Sequence, residues 1–175
     1  RLPEVFPETR VELMEPAALA QEFDELDMEE QNQVNLLLDA LTETLRPFHC
    51  VLEVRKFLPT ELPALFSADS DARFHRSVEQ AKEVADSLFA GVLESLESRR
   101  QRVAQAQLCL NFNNPLIRQL AQARRREMVC RCGEVLYVQA LLLAQQPLSS
   151  RELSLLNRGL TGLIEGSISP GESNS

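Results

Sequence analysis

The stretch LNFNNPLIRQLAQ, residues 110–122, sets the end of an alternating apolar run against two asparagines, a proline and a helical pattern. Alternate side chains of a strand point the same way, so Leu108 and Leu110 share one face of a strand running from Val103 to Phe112. Asn113 or Asn114 supplies a cap for the orphan amides of the next element. Pro115 fits a first helical position, where its missing N–H costs nothing. Ile117, Leu120 and Ala121 then carry a short helix up to the basic run Arg124 to Arg126. A strand handed to a helix within three residues makes this a mixed chain, although its leucine-rich, aromatic-poor composition by itself suggests helices packed on helices.

A second alternating run lies upstream. Between His49 and Phe57, Cys50, Leu52 and Val54 point one way and Glu53 and Arg55 the other, as in a half-buried strand. Val51 to Phe57 and Val103 to Phe112 therefore form a small sheet. Before it, Asp27 and Glu30 make an N-cap pattern for a helix with Val34, Leu37, Leu38, Leu41 and Leu45 on one face, ended by Pro47. Earlier still, Val11 to Leu13 reads as a short strand and Pro16 opens a helix continuing to Phe23. Residues 1–9, with Pro3 and Pro7, read as a linker from something upstream, in keeping with Arg1 in place of an initiator methionine.

Between the two strands, Val78 to Leu96 has a helical apolar face with Gly91 as its weak spot. Downstream, residues 127–145 are apolar nearly all round, which demands cover on more than one side. Ser149 and Glu152 then form a capping box flanked by Leu148 and Leu153, a hydrophobic-staple spacing. In the last helix Gly159 and Gly162 call for a close helix approach, and Gly166 marks its end. The expected architecture is α+β: a small sheet packed by helices and closed by a C-terminal helical hairpin, over residues 10–166, with 167–175 a disordered tail by composition.

The chain has 175 residues, 44% of them hydrophobic, and a formal charge of -8, so it can bury a core and its field repels phosphate backbones and anionic lipid. Nucleic acid and membrane are accordingly not expected as partners. No apolar run reaches the roughly 18 residues of a membrane span. Four cysteines without a paired C-x-x-C spacing fit a reducing cytoplasm, and His49 and His75 have no metal-ligand neighbours at a usable spacing. No metal site is expected, and no nucleophile, base and orienter can be assembled into a catalytic set.

The apolar excess of the last two helices is the sharper signal. A hairpin exposing one stripe can pair with its twin into a four-helix bundle, with Leu136, Leu141, Leu153, Leu156, Leu160, Leu163 and Ile164 at the interface. A helical adaptor binding a different protein through the same stripe is the rival reading. A second apolar group, Leu62, Leu65 and Phe66, lies beside Pro59, Pro63 and a polar acidic turn, which leaves exposure and packing onto the sheet both open.

The succession LNFNNPLIRQLA, then EVLYVQALLLAQQPLSSRELSLLNRGLTGLI, resembles the C-terminal dimerisation domain of the ninety-kilodalton heat-shock protein chaperones, the divergent bacterial forms in particular. The resemblance spans roughly residues 10 to 165 and is most specific from Leu108 to Ile164. Asn114 stands where many members have a histidine before the proline. The resemblance implies a homodimer in the cytoplasm serving protein folding under stress, with unfolded or partly folded client proteins as partners. It assigns Leu62, Leu65 and Phe66, in CVLEVRKFLPTELPALFSADSDARFHR, to client contact. It further implies ATP and Mg in the full-length protein, bound by parts outside these residues, and no catalysis or cofactor within this stretch.

Overall fold

Alternating apolar and polar residues produce a four-stranded mixed sheet, and the 3.6-residue stripes on either side of it in sequence produce the helices that cover it. The computed structural model describes residues 21–68, Arg73, Arg76, Gln80 and residues 106–169. In chain order the elements are β1 (Gln21–Asp24), α1 (Met28–Leu45), β2 (Cys50–Leu58), β3 (Ala64–Ala68), β4 (Ala106–Asn111), α2 (Pro115–Gln122), α3 (Arg126–Leu143) and α4 (Ser150–Ile168). The sheet order is β1-β2-β4-β3, with β2 and β4 parallel and both edge strands antiparallel to their neighbours. The fold is α+β and ends in a helical hairpin.

Register places Val54 beside Leu110 and Phe66 beside Leu108, and these four side chains face the helices. Phe57 and Leu65 lie in a second buried cluster, packed by Leu62 and Cys109, and Phe23 of β1 closes on Phe57 with ring centroids 5.2 Å apart. On the helical side, Tyr137 is fully buried between Phe48 and Phe66, with ring centroids 5.3 and 6.2 Å away. At Gly133 of α3 a Cβ would collide with the Leu41 side chain of α1, so those helices meet at a point that admits only glycine without displacing Leu41.

Local caps define the helix starts. Asp27 accepts from the Glu30 amide at 2.9 Å while Glu30 accepts from the Asp27 amide at 3.0 Å, a complete capping box. Lys56 of β2 adds an ion pair to Glu30 at 2.7 Å. At α2 it is Asn114 that caps, accepting from the Leu116 amide at 2.9 Å, with Pro115 in the first turn.

The asparagine that ends β4, Asn111, organises the other end of the sheet. Asn111 is fully buried, and its Nδ2 donates to the carbonyls of Phe57 (3.0 Å), Pro59 (3.2 Å) and Leu62 (3.0 Å). Its Oδ1 accepts from the amides of Phe57 (3.1 Å) and Asn113 (3.0 Å). Asn114 Nδ2 reaches the Thr60 carbonyl at 2.7 Å. The turn between β2 and β3 is thus folded around the side chains that end β4, which is why two prolines are tolerated there.

Several expectations change. Leu65 and Phe66 are 4% and 3% exposed, and Leu62 is half-buried, so the exposed client patch that the resemblance implies at these residues is not formed. Pairing with β4 is the cause: it turns Phe66 into the main core and Leu65 into the cluster on the opposite face. Phe23 belongs to a strand rather than a helix, because it pairs along β2. The last helix passes Gly166 and reaches Ile168, so Ser167 and Ile168 are not tail; one exposed helical glycine costs only about 1 kcal/mol. The expected strand at 11–13, the helix at 78–96 and the tail beyond residue 169 lie outside the described residues.

Asn111→Asp should destabilise the fold more than Asn111→Ala, by at least about 3 kcal/mol in chemical denaturation. It aims a buried anion at three carbonyls, whereas alanine only orphans them. Equal losses would mean that the turn carbonyls find other donors.

Candidate functional site

α3 and α4 lie antiparallel, and the small residues of α4 mark the face that seats against α3. A Cβ at Gly159 would stand 3.0 Å from Val135 Cγ2 and 3.2 Å from the Arg131 carbonyl, and one at Gly162 would press on the Arg131 side chain at 2.9 Å. Glu152, Leu155 and Gly159 are the buried residues of the helix, spaced three and four apart on one face.

Two buried carboxylates pin this hairpin. Glu134, 2% exposed, accepts from Arg131 on its own helix at 3.2 Å and from Arg158 Nε across the hairpin at 3.0 Å. Glu152, also 2% exposed, accepts from the Tyr137 hydroxyl at 3.0 Å, from Arg76 at 2.7 and 3.1 Å, and from the Ser149 amide at 2.9 Å. Arg76 and Gln80 also donate to the Pro147 carbonyl at 3.0 and 2.7 Å, tying the hairpin turn to the segment that carries them. Burial by itself raises the Glu152 pKa, but the Arg76, Ser149 and Tyr137 hydrogen bonds outweigh it and hold the carboxyl below its ordinary value. Burial, and then the Glu152 charge, push the Tyr137 phenol up, so it remains a donor.

Away from the face that seats against α3, α4 carries apolar side chains that the described residues leave exposed. Leu153, Leu160, Ile164 and Ile168 are 53%, 43%, 56% and 74% exposed, with Leu156 and Leu163 half-buried among them. Leu142 and Leu143, at the end of α3, are also exposed, at 53% and 43%. Of the residues expected at a dimer interface, Leu156 packs against the core and Leu163 is half-buried, while Leu153, Leu160 and Ile164 share an outward face. Leu136 and Leu141 do not: at 3% and 0% exposure they fill the core against α1 and the sheet, because the inward side of α3 includes Leu136, Tyr137, Ala140 and Leu141. The exposed leucines of α3 are instead Leu142 and Leu143, which sequence reasoning did not single out. It also missed Glu152 and Leu155 as the inner stripe, although the glycines at 159 and 162, on the same helical face, carried the signal.

The cysteines are all free thiols, and burial pushes Cys50 and Cys109 up to about 12, so neither is a reactive thiolate at neutral pH. Among the described residues no group of His, Cys, Asp and Glu could hold a metal ion, and no helix is long and apolar enough to cross a membrane.

Because the Glu152 carboxyl titrates below its ordinary 4.5, its pairing stabilises the fold fully above that pH and is lost as pH falls through the lower folded value. Glu152→Gln should lower stability at neutral pH and flatten the acid limb of a series of thermal melts below about pH 4.5; an unchanged acid limb would assign that sensitivity elsewhere. Ser149→Ala, which removes only the cap, should cost about 1 kcal/mol and leave the acid limb as it is.

No protein-family model matches the chain, and no curated protein matches it, so a functional reading rests on this face and on the resemblance in sequence.

Proposed function

We propose that the chain is the dimerisation domain of an ATP-dependent chaperone resembling the ninety-kilodalton heat-shock proteins, and that it dimerises through the outer face of α4. The observation that supports this most is the apolar stripe Leu153, Leu160, Ile164 and Ile168 on a helix whose inner face is pinned by Glu152 and Gly159. A rigid helix with a continuous uncovered apolar stripe pairs well with its own copy about a twofold axis, burying both stripes in a four-helix arrangement. The work of such a domain is geometric. Joining two copies holds two upstream ATPase arms at high effective concentration, with ATP and Mg bound in those arms.

The chaperone part of this reading rests on the resemblance, which is most specific where β4 ends in Leu110 and Asn111 and passes through the Asn114 cap to Pro115. A cytoplasmic location belongs to it and fits four free cysteines. Client contact through Leu65 and Phe66 is no longer part of it, since both are buried.

The test separates interface from fold. Leu160 and Ile164 are exposed, so Leu160→Lys with Ile164→Lys should leave the circular dichroism and melting temperature of the isolated subunit intact. Each buried side chain contributes about 1.5 to 3 kcal/mol to an interface, so the pair should raise the dimer dissociation constant at least a hundredfold in analytical ultracentrifugation. A parent chain that stays monomeric at high concentration would favour an adaptor, and a double variant that dimerises as before would place the contact elsewhere.

A further inference from the structure

We propose that the cleft between α1 and α2 receives an acidic amphipathic helix of a partner protein. It is separate from the outer face of α4 and lies where the end of α2 turns into α3 beside α1. Its volume is about 460 Å³, within the range of ordinary binding clefts, and its floor is apolar, with Leu37, Ala40 and Leu120 each 4% exposed or less. At its lip stands Leu36, which is 76% exposed. An isolated exposed leucine needs no explanation, but one that extends an apolar floor outward enlarges a surface suited to burial.

Charge selects the occupant. The cleft is lined by Arg124 and Arg126 and by no acidic residue, in a chain whose formal charge is -8. Arg124 makes no ion pair among the described residues, and Arg126 holds Glu43 at 2.6 Å in a pair whose two side chains are more than half exposed. Such a pair is readily exchanged for a carboxylate brought by a partner. Both arginines also lie at the N-terminal end of α3, whose dipole adds to their positive field and favours an anionic occupant.

The walls select the conformation. One is α1 and the other is the last turn of α2 with the start of α3, joined through Ala123 and Arg124; the helical backbone groups bond largely within themselves, so an extended peptide would find few donors and acceptors to satisfy its own amides there. A helix arrives with those bonds made and needs only side-chain anchors. The lining opposite α1 runs from Leu120 at the end of α2 through Ala123 and Arg124 to Val129 of α3, a short wall that suits an occupant of about two turns with large apolar side chains at i and i+4 and carboxylates flanking them.

The test uses fluorescence anisotropy with the whole chain and a labelled, helix-forming peptide of about 16 residues carrying Leu and Phe at i and i+4 between glutamates. Saturable binding in the micromolar range is expected, at least about tenfold weaker when the glutamates are replaced by lysine or the two anchors by serine. Arg124→Glu with Arg126→Glu, and separately Leu36→Glu, should each weaken binding by about tenfold while circular dichroism stays unchanged, since all three positions are exposed. The Leu160→Lys, Ile164→Lys variant should bind as the parent does, which separates this cleft from the α4 face. Absence of saturable binding, equal binding of the lysine peptide, or indifference to the arginine and Leu36 substitutions overturns the proposal.

Discussion

The buried amide of Asn111 is the interaction on which the arrangement of the sheet depends. Three carbonyls from the turn between β2 and β3 converge on its Nδ2, and the Phe57 amide returns to its Oδ1. In a low-dielectric site each of those groups costs more unpaired than it gains paired, so the turn is held in the conformation in which all are satisfied. That conformation brings β3 alongside β4 with Leu65 and Phe66 on opposite faces. An asparagine is required because the position must donate and accept at once.

The hairpin at the other end is held by a different balance. Glu134 and Glu152 are buried charges, and their desolvation is offset by arginine partners and, for Glu152, by Tyr137 and the Ser149 amide. Apolar packing alone specifies helix contact loosely, since one leucine stripe slides along another at small cost. A carboxylate that must meet its guanidinium does not slide. A shift of α4 by one turn would strand both acids and drive a bulkier side chain against Arg131 where Gly159 now fits. The outward stripe is consequently presented in a single register.

Much of this was legible in the sequence where local chemistry decided the outcome. Both capping boxes, the Asn–Pro start of α2, the strand alternation around Val54 and Leu110 and the close helix approach at Gly159 each follow from neighbours within a few residues. What was not legible depended on partners far along the chain. Leu65 and Phe66 looked unsuited to a core because Pro59 and Pro63 flank them, yet Asn111, roughly fifty residues on, satisfies the turn and makes burial possible. Leu136 and Leu141 carried the right residue type for an interface, but which side of an all-round apolar helix faces inward is set by α1 and the sheet. The leucine spacing of α4 marks a stripe, but spacing alone does not separate Leu156, which packs on the core, from the exposed Leu153, Leu160 and Ile164.

Gly133 gives the molecule a mechanical property. The side chain of Leu41 occupies the space a Cβ at that position would fill, so α1 and α3 are keyed together as a tongue in a slot, and α3 is keyed in turn to α4 at Gly159 and Gly162. Sliding any of these helices along its neighbour would have to displace a side chain at each such point, so the three are interlocked as one layer, joined at α1 to β2, an inner strand of the sheet, by the Lys56–Glu30 ion pair.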